Sequence, residues 1–145
     1  MSLLLRPLEV DDLAALEPLD AAYAARHGVA PAVAAAALAF YARSGHAFLA
    51  VADGRVVGLA LAQAVWDGVR PTVRLVRLAG EPGARRALAE AVVKSAYDAA
   101  VYDLVAEVPD DDVDLAGLLA GVGWTERPLR SFARTLGSRA ARGAS

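Results

Sequence analysis

Residues 46–80, HAFLAVADGRVVGLALAQAVWDGVRPTVRLVRLAG, hold three apolar runs separated by Asp53-Gly54 and Asp67-Gly68. Asp-Gly between strand-like runs is a hairpin signal, because the tight turns that match strand twist need positive φ at their central residues. The pattern predicts an antiparallel meander of strands 46–52, 55–66 and 69–79. Such a sheet has apolar faces that the rest of the chain must cover, and this limits the folds available. In the middle strand Val56, Gly58, Ala60, Ala62 and Ala64 alternate onto one face, while Val57, Leu59, Leu61 and Val65 take the other. The first face is nearly all small, so a helix or a ligand can lie close to it.

The flanks supply the covering elements. Residues 3–9 read as a first strand, and Asp11 is a candidate N-cap with Asp12 in the first turn of the helix that follows. Pro18 is expected to break or restart that helix, which runs to about Arg26 before Gly28 ends it. Pro31 opens a second helix, 31–43, with Val33, Ala34, Ala37, Leu38 and Tyr41 as its apolar stripe and Ser44-Gly45 as its close. After the meander a helix is predicted over 83–100, with Ala84, Leu88, Ala91, Val92 and Ala96 buried. A strand over 101–108 ends at Pro109. Acid-rich residues then start a short helix to about 121, and strand material runs on to 136. The reading is one α/β domain, residues 1–136: a mixed sheet of antiparallel meander plus β-α-β crossover, with helices on both faces. Residues 137–145 form a small polar tail, expected to be mobile.

Composition narrows the function. At 145 residues, 57% hydrophobic and 22% charged, the chain suits one packed domain. A net charge of −2, with no dense basic run, gives nucleic-acid binding little support. Cysteine is absent, which removes disulfides, thiolate nucleophiles and cysteine metal sites. No charge-free apolar stretch is long enough to span a bilayer, and the start MSLLLRPLEVDD is not a signal peptide. A cytoplasmic protein without membrane or nucleic-acid partners is the expectation.

Arg85 and Arg86 fall in the first turn of the helix at 83–100, where the peptide dipoles already make the helix end positive. Two explanations stand. The arginines hold an anion at a strand–loop–helix start, where backbone N–H groups converge. Alternatively both side chains bend into water, Arg86 pairing with Glu90 four residues on. All basic residues except Lys94 are arginine, so composition alone also supplies arginines here.

The order of elements, with Gly80-Glu81-Pro82-Gly83-Ala84-Arg85 after the meander and Gly123-Trp124 after the last helix, resembles the GNAT superfamily of N-acetyltransferases over residues 3–136. That family's loop reads [QR]-x-x-G-x-[GA]. Gly83 fits the central glycine, Gly80 stands at the Gln or Arg, Arg85 stands at the terminal small residue, and Pro82 removes one N–H. The resemblance implies acetyl-CoA as co-substrate, with its diphosphate over Gly80, Gly83, Ala84, Arg85 and Arg86 and its pantetheine along the strand at Leu75, Val76, Arg77 and Leu78. Asp112 falls at the family's asparagine, Leu115 at its alanine, and Leu119 at the tyrosine that commonly protonates the leaving thiolate. Tyr23, Arg26 and His27 fall where the family builds its acceptor pocket. The implied reaction is direct attack of an unidentified small-molecule or peptide amine on the thioester. With Arg85 in the loop and leucine at the tyrosine, the alternative is a GNAT-fold binding or interaction module without catalysis.

An amine needs a base. Of Asp67, Glu81 and Glu107, near strand ends, Asp67 reads as a turn residue and Glu81 as a first-turn helix acid, which leaves Glu107 on the crossover strand as the candidate. Arg74 and Arg77 have opposite parity in their strand and are expected on opposite faces. His27 and His46 lack metal-ligand spacing, and no metal is implied. Asp110, Asp111, Asp112 and Asp114 read as helix-capping acids, since the glycine and distal glutamate of a calcium loop are missing. Trp66, Trp124 and Phe132 read as core or sheet-edge aromatics. A homodimer through the last strands is compatible with the sequence.

Overall fold

The computed structural model describes residues 2–137; residues 138–145 of the predicted tail lie outside them. Strand β1 (Leu4–Pro7) leads through a 3-10 turn (Val10–Asp12) into α1 (Leu13–His27), followed by α2 (Ala35–Ala42), β2 (Phe48–Ala52), β3 (Arg55–Trp66) and β4 (Pro71–Gly80). Then come α3 (Pro82–Asp98), β5 (Leu104–Ala106) and α4 (Val113–Gly121). The five strands lie in sequence order, antiparallel from β1 to β4, with β5 parallel to β4. The first meander turn is as read: Asp53 and Gly54 both take positive φ, 53° and 73°. In the second, Gly68 takes φ 97° while the Asp67 side chain accepts from the Val69 and Arg70 amides and the Thr72 hydroxyl.

Each face of the sheet has its own core. Leu49, Leu59 and Leu61 pack with Leu16 of α1 and Leu38 of α2. Ala60, Ala62, Val73, Leu75 and Leu78 pack with Leu88 and Val92 of α3 and Leu115 and Leu119 of α4. The small face of β3 admits α3: a Cβ on Gly58 would stand 2.9 Å from Leu88 Cδ1 and 3.0 Å from Ala84 Cβ.

Several expectations are corrected. Pro18 lies inside α1 without ending it. It removes one intrahelical N–H, but the turns on either side are anchored by buried Leu16, Asp20, Tyr23 and Ala24. Asp12, not Asp11, organises the entry to that helix, accepting from the Glu9 amide and from both terminal nitrogens of Arg6. The second helix begins at Ala35 instead of Pro31, because the Asp20 carboxylate takes the Ala32 and Val33 amides and Ala34 is extended. Residues 124–137 contain no strand.

Two β-bulges change which side chains share a face. Ala50 pairs with Gly58 but Val51 with Val56, so Val57 is an extra residue and the parity before it is reversed. Val57 therefore joins the α3 side and Val56 the α1 side, opposite to strict alternation. In β4, Leu61 pairs with Arg77 but Ala62 with Leu75, leaving Val76 extra. Arg77 and Arg74, opposite Leu61 and Gln63, consequently lie on the same face, which corrects the expectation of opposite faces.

Candidate functional site

The site begins where β4 ends. Gly80 has φ +129°, and a Cβ there would stand 2.3 Å from the Val57 carbonyl oxygen and 2.5 Å from Gly58 Cα, so only glycine lets the two strands close together before the helix starts. The Glu81 amide donates to that same Val57 carbonyl, and Glu81 remains extended. Pro82 occupies the first helical position and has no N–H. The Gly83 and Ala84 amides are left at the start of α3, with no side-chain cap on them.

The two arginines that follow separate completely. Arg86 is exposed, 3.7 Å from Glu90. Arg85 is 9% exposed and turns inward, its Nη2 donating to Asp112 Oδ2 at 2.6 Å. Its Nε is buried without a partner among the described residues. Positive charge at this helix end is thus balanced by a carboxylate from another element.

Asp112 is the centre of the site. It is the N-cap of α4, accepting from the Leu115 amide through Oδ1, as the acid-rich helix start implied. Its Oδ2 also accepts from the Tyr23 hydroxyl at 2.6 Å. Tyr23 and His27 share one face of α1 because they are four residues apart, and their ring centroids are 4.5 Å apart. His27 Nδ1 bonds Asp111 Oδ1 at 2.8 Å, so Nδ1 carries the proton, and Nε2 faces Asp112 Oδ2 at 3.8 Å. The Arg77 and Arg85 guanidiniums lie 5.2 and 5.9 Å from the Tyr23 ring centre, both within cation–π range. Burial opposes ionisation of Asp112, but the bonds from Tyr23, Arg85 and the Leu115 amide outweigh it and hold the carboxyl below its ordinary range. Burial, and then the bond to Asp112, push the Tyr23 phenol above its ordinary value.

Tyr23, His27, Arg85, Asp111 and Asp112 line a cleft of about 260 Å³, bounded also by Arg26, Gly80 and Asp114. Tyr23 comes from the α1 face of the sheet, whereas Arg85 and Asp112 belong to helices on the other. They meet because β5 leaves β4: pairing stops at Leu75–Ala106, with one further bond from the Glu107 amide to the Leu75 carbonyl. Beyond that bond no strand pairs with Val76–Ala79 of β4 on its β5 side among the described residues, and Arg77, Leu78 and Ala79 are themselves buried.

The predicted site residues divide accordingly. Tyr23, Arg26, His27, Gly80, Arg85 and Asp112 come together in the cleft, with Gly83 and Ala84 at the adjoining helix start. Arg77 is committed elsewhere, to Asp20 at 2.6 Å and the Ala30 carbonyl at 2.7 Å. Leu75 and Leu78 face the α3 core, and Leu75 closes the paired part of β4, so the open edge begins at Val76, one residue after the predicted start at Leu75. Glu107 stands apart from the cluster, paired with Arg74 at the point where β5 diverges. His46 is buried against Ser95, Nδ1 to Oγ 2.9 Å. Of the three aromatics read as core or sheet-edge residues, Trp124 packs on the α3-side core, Trp66 is 69% exposed at the end of β3, and Phe132 is 90% exposed outside any strand, so only its reading is overturned. One organising residue was not singled out in the sequence, Asp20, and Asp111, read there as a capping acid, instead holds His27. For Asp20 a signal exists: Leu16, Asp20, Tyr23 and His27 are spaced 4, 3, 4 along α1. An acid in that buried stripe requires a buried cation.

The family described as "Protein of unknown function (DUF1999)" matches residues 3–140. The chain belongs to the DUF1999 family. The crystal structure of wild-type TTHA1254 from Thermus thermophilus is 40% identical to this DUF1999 chain, with a TM-score of 0.77, covering 94% of it and 99% of TTHA1254. More distant structures share the fold. The ribosomal-protein-alanine N-acetyltransferase from Brucella melitensis biovar Abortus 2308 superposes with a TM-score of 0.74 at 17% identity, covering 94% of this chain and 100% of that one. The aminoglycoside acetyltransferase HMB0005 from an uncultured soil metagenomic sample gives 0.71 at 19%, covering 94% and 100%. The DUF1999 chain therefore has the GNAT-like α/β fold. No curated protein sequence matches it. No described helix is long and apolar enough to cross a membrane.

Proposed function

We propose that this chain binds acetyl-CoA in the opening between β4 and β5 and transfers the acetyl group to an amine. One observation carries the reading: an unpaired strand edge, Val76–Ala79, ends directly on an uncapped helix start. A strand edge offers N–H and C=O groups to an amide-bearing chain such as pantetheine. The Gly83 and Ala84 amides offer donors to a diphosphate. The orphaned Nε of buried Arg85 fits an anion beside them. Acetyltransferase neighbours of the same fold support the assignment.

Acetyl-CoA supplies an activated acyl group as its thioester. Attack by the amine nitrogen forms the N–C bond, breaks the C–S bond and releases CoA. The proton lost by nitrogen is the one to be managed. With the diphosphate at Gly83, the thioester end lies toward Val76, and the carboxylate there is Glu107, whose amide makes the last bond to β4. Glu107 is the proposed base and Arg74 its positioning partner. Tyr23, Arg26 and His27 then serve the diphosphate end of the cleft instead of the amine.

A second reading is favoured by two observations: Leu119 is buried in the core where a proton donor would be needed, and the Arg85 guanidinium already holds Asp112. In that reading the chain binds CoA without turning it over. Calorimetric titration with acetyl-CoA, followed by thiol release over a panel of amines, separates the two. The control variant is Gly83→Asp. A Cβ at Gly83 meets nothing within 4 Å, so the fold tolerates it, yet an acid at the helix start repels phosphate. Binding lost at least tenfold in Gly83→Asp is expected. No heat at millimolar acetyl-CoA overturns both readings, and binding without thiol release selects the second.

A further inference from the structure

The Arg74–Glu107 ion pair crosses from β4 to the chain just after β5, on the sheet face that α1 and α2 cover. The two side chains are 47% and 52% exposed. An ion pair so open to water adds little to stability. A ligand that offers each member a new partner can therefore open it at small cost.

The surroundings say what such a ligand carries. Gln63 stands opposite Arg74 in the strand register and on the same face, and no described residue engages its carboxamide. Tyr41 of α2 packs with Val76 over that face. Burial raises the Tyr41 phenol above its ordinary value, while the nearby charges of Arg74 and Arg77 act the other way. Arg77 is itself held by Asp20 and the Ala30 carbonyl, so of these two arginines Arg74 is the one able to turn to a ligand. Pairing of β2 with β3 ends at Phe48–Ala60, and beyond it a groove of about 280 Å³ opens between α2 and β3. Phe40, Arg43, Ser44, Gln63 and Ala64 line it. One carboxylate, one guanidinium and one free carboxamide thus stand in a row beside a groove with an aromatic wall, the usual make-up of a small-molecule site.

We infer that this row is a site for a free α-amino acid, which on the acetyl-transfer reading is the acceptor. The ammonium group of the ligand replaces Arg74 at Glu107. Its carboxylate takes the Arg74 guanidinium and the Gln63 amide, and its side chain lies over Phe40. An α-amino acid carries both charges on a single carbon, so one ligand satisfies both members of the opened pair. A simple amine leaves Arg74 without a partner, and so does a peptide amino terminus, whose first carboxyl group is an amide. The site depends on the acetyl-transfer reading for its role as acceptor site, not for the binding itself.

Calorimetric titration of the full chain without acetyl-CoA reads the binding apart from turnover. The ligands are phenylalanine, phenylalaninamide and phenethylamine. Phenylalanine should bind about tenfold more tightly than either of the others, because each lacks the charge-assisted bond to Arg74. The same ratio is expected in kcat/KM for thiol release from acetyl-CoA. Arg74→Met should bring the ratio to about one, and Gln63→Leu, which removes a neutral donor, should lower it about threefold. Each ratio compares two ligands on one protein, so a general loss of stability does not move it. Equal affinity for phenylalanine and its amide, no heat with phenylalanine, or an unchanged ratio in Arg74→Met would overturn the inference, even if acetyl-CoA binds and is turned over. A tenfold preference in a chain that gives no heat with acetyl-CoA would support the amino-acid site and overturn the transfer reading alone.

Discussion

Replacing Asp112 by alanine should be among the most damaging single changes this chain can undergo. The carboxylate is 3% exposed and serves three donors: the Arg85 guanidinium, the Tyr23 hydroxyl and the Leu115 amide. Breaking a buried ion pair by removing one partner costs about 3–5 kcal/mol, because the remaining charge is left desolvated. Loss of the N-cap adds about 1 kcal/mol, and loss of the tyrosine bond adds a similar amount. The three are not additive around one shared carboxylate, so the expected total is about 3–5 kcal/mol, a large part of the about 5–15 kcal/mol available to a domain. Urea unfolding of wild type, Asp112→Ala, Arg85→Met and the double variant measures it. The double variant should recover at least about 2 kcal/mol relative to the sum of the single changes, since Arg85 is no longer a stranded charge. Acid titration gives an independent check. The Asp112 carboxyl is held below its ordinary value, so its contribution is complete above the unfolded value of about 3.9 and is lost as pH falls through the lower folded value. Asp112→Ala should lack that part of the acid limb. Additivity within about 0.5 kcal/mol, or a single-variant cost below about 1 kcal/mol, would refute the reasoning.

Gly80→Ala should cost at least about 2 kcal/mol, because positive φ and overlap with the Val57 carbonyl and Gly58 Cα act together; a melting temperature within a degree or so of wild type would contradict this. Burial holds the His46 imidazole below its ordinary value, so the unfolded chain takes up the proton first. Stability should therefore fall as pH drops below about 6.5 and level off once the folded imidazole protonates, and a His46→Phe variant should lack this step in denaturant titrations between neutral and mildly acid pH.

Features that depend on near neighbours along the chain were legible in the amino-acid order. The Asp-Gly turns, the αL stop at Gly28 and the Asp112 cap each require only a few residues, and all three are where the sequence places them. Their order carried the GNAT-like architecture, since a meander followed by a crossover leaves few ways to cover a sheet. Whatever depends on partners remote in sequence was settled only by packing. A bulge is invisible to alternation within one strand because it is defined by the opposite strand, and two bulges moved Val56, Val57 and Arg77 to other faces. Pro18 survives within a helix because distant packing holds the turns on both sides. Arg85 is the clearest case. Local electrostatics asks only for an anion near two cations at a helix start, and the sequence left open whether ligand or water answers. Asp112, 27 residues on, answers for Arg85, because a parallel strand and its following helix bring that carboxylate back across the end of the sheet.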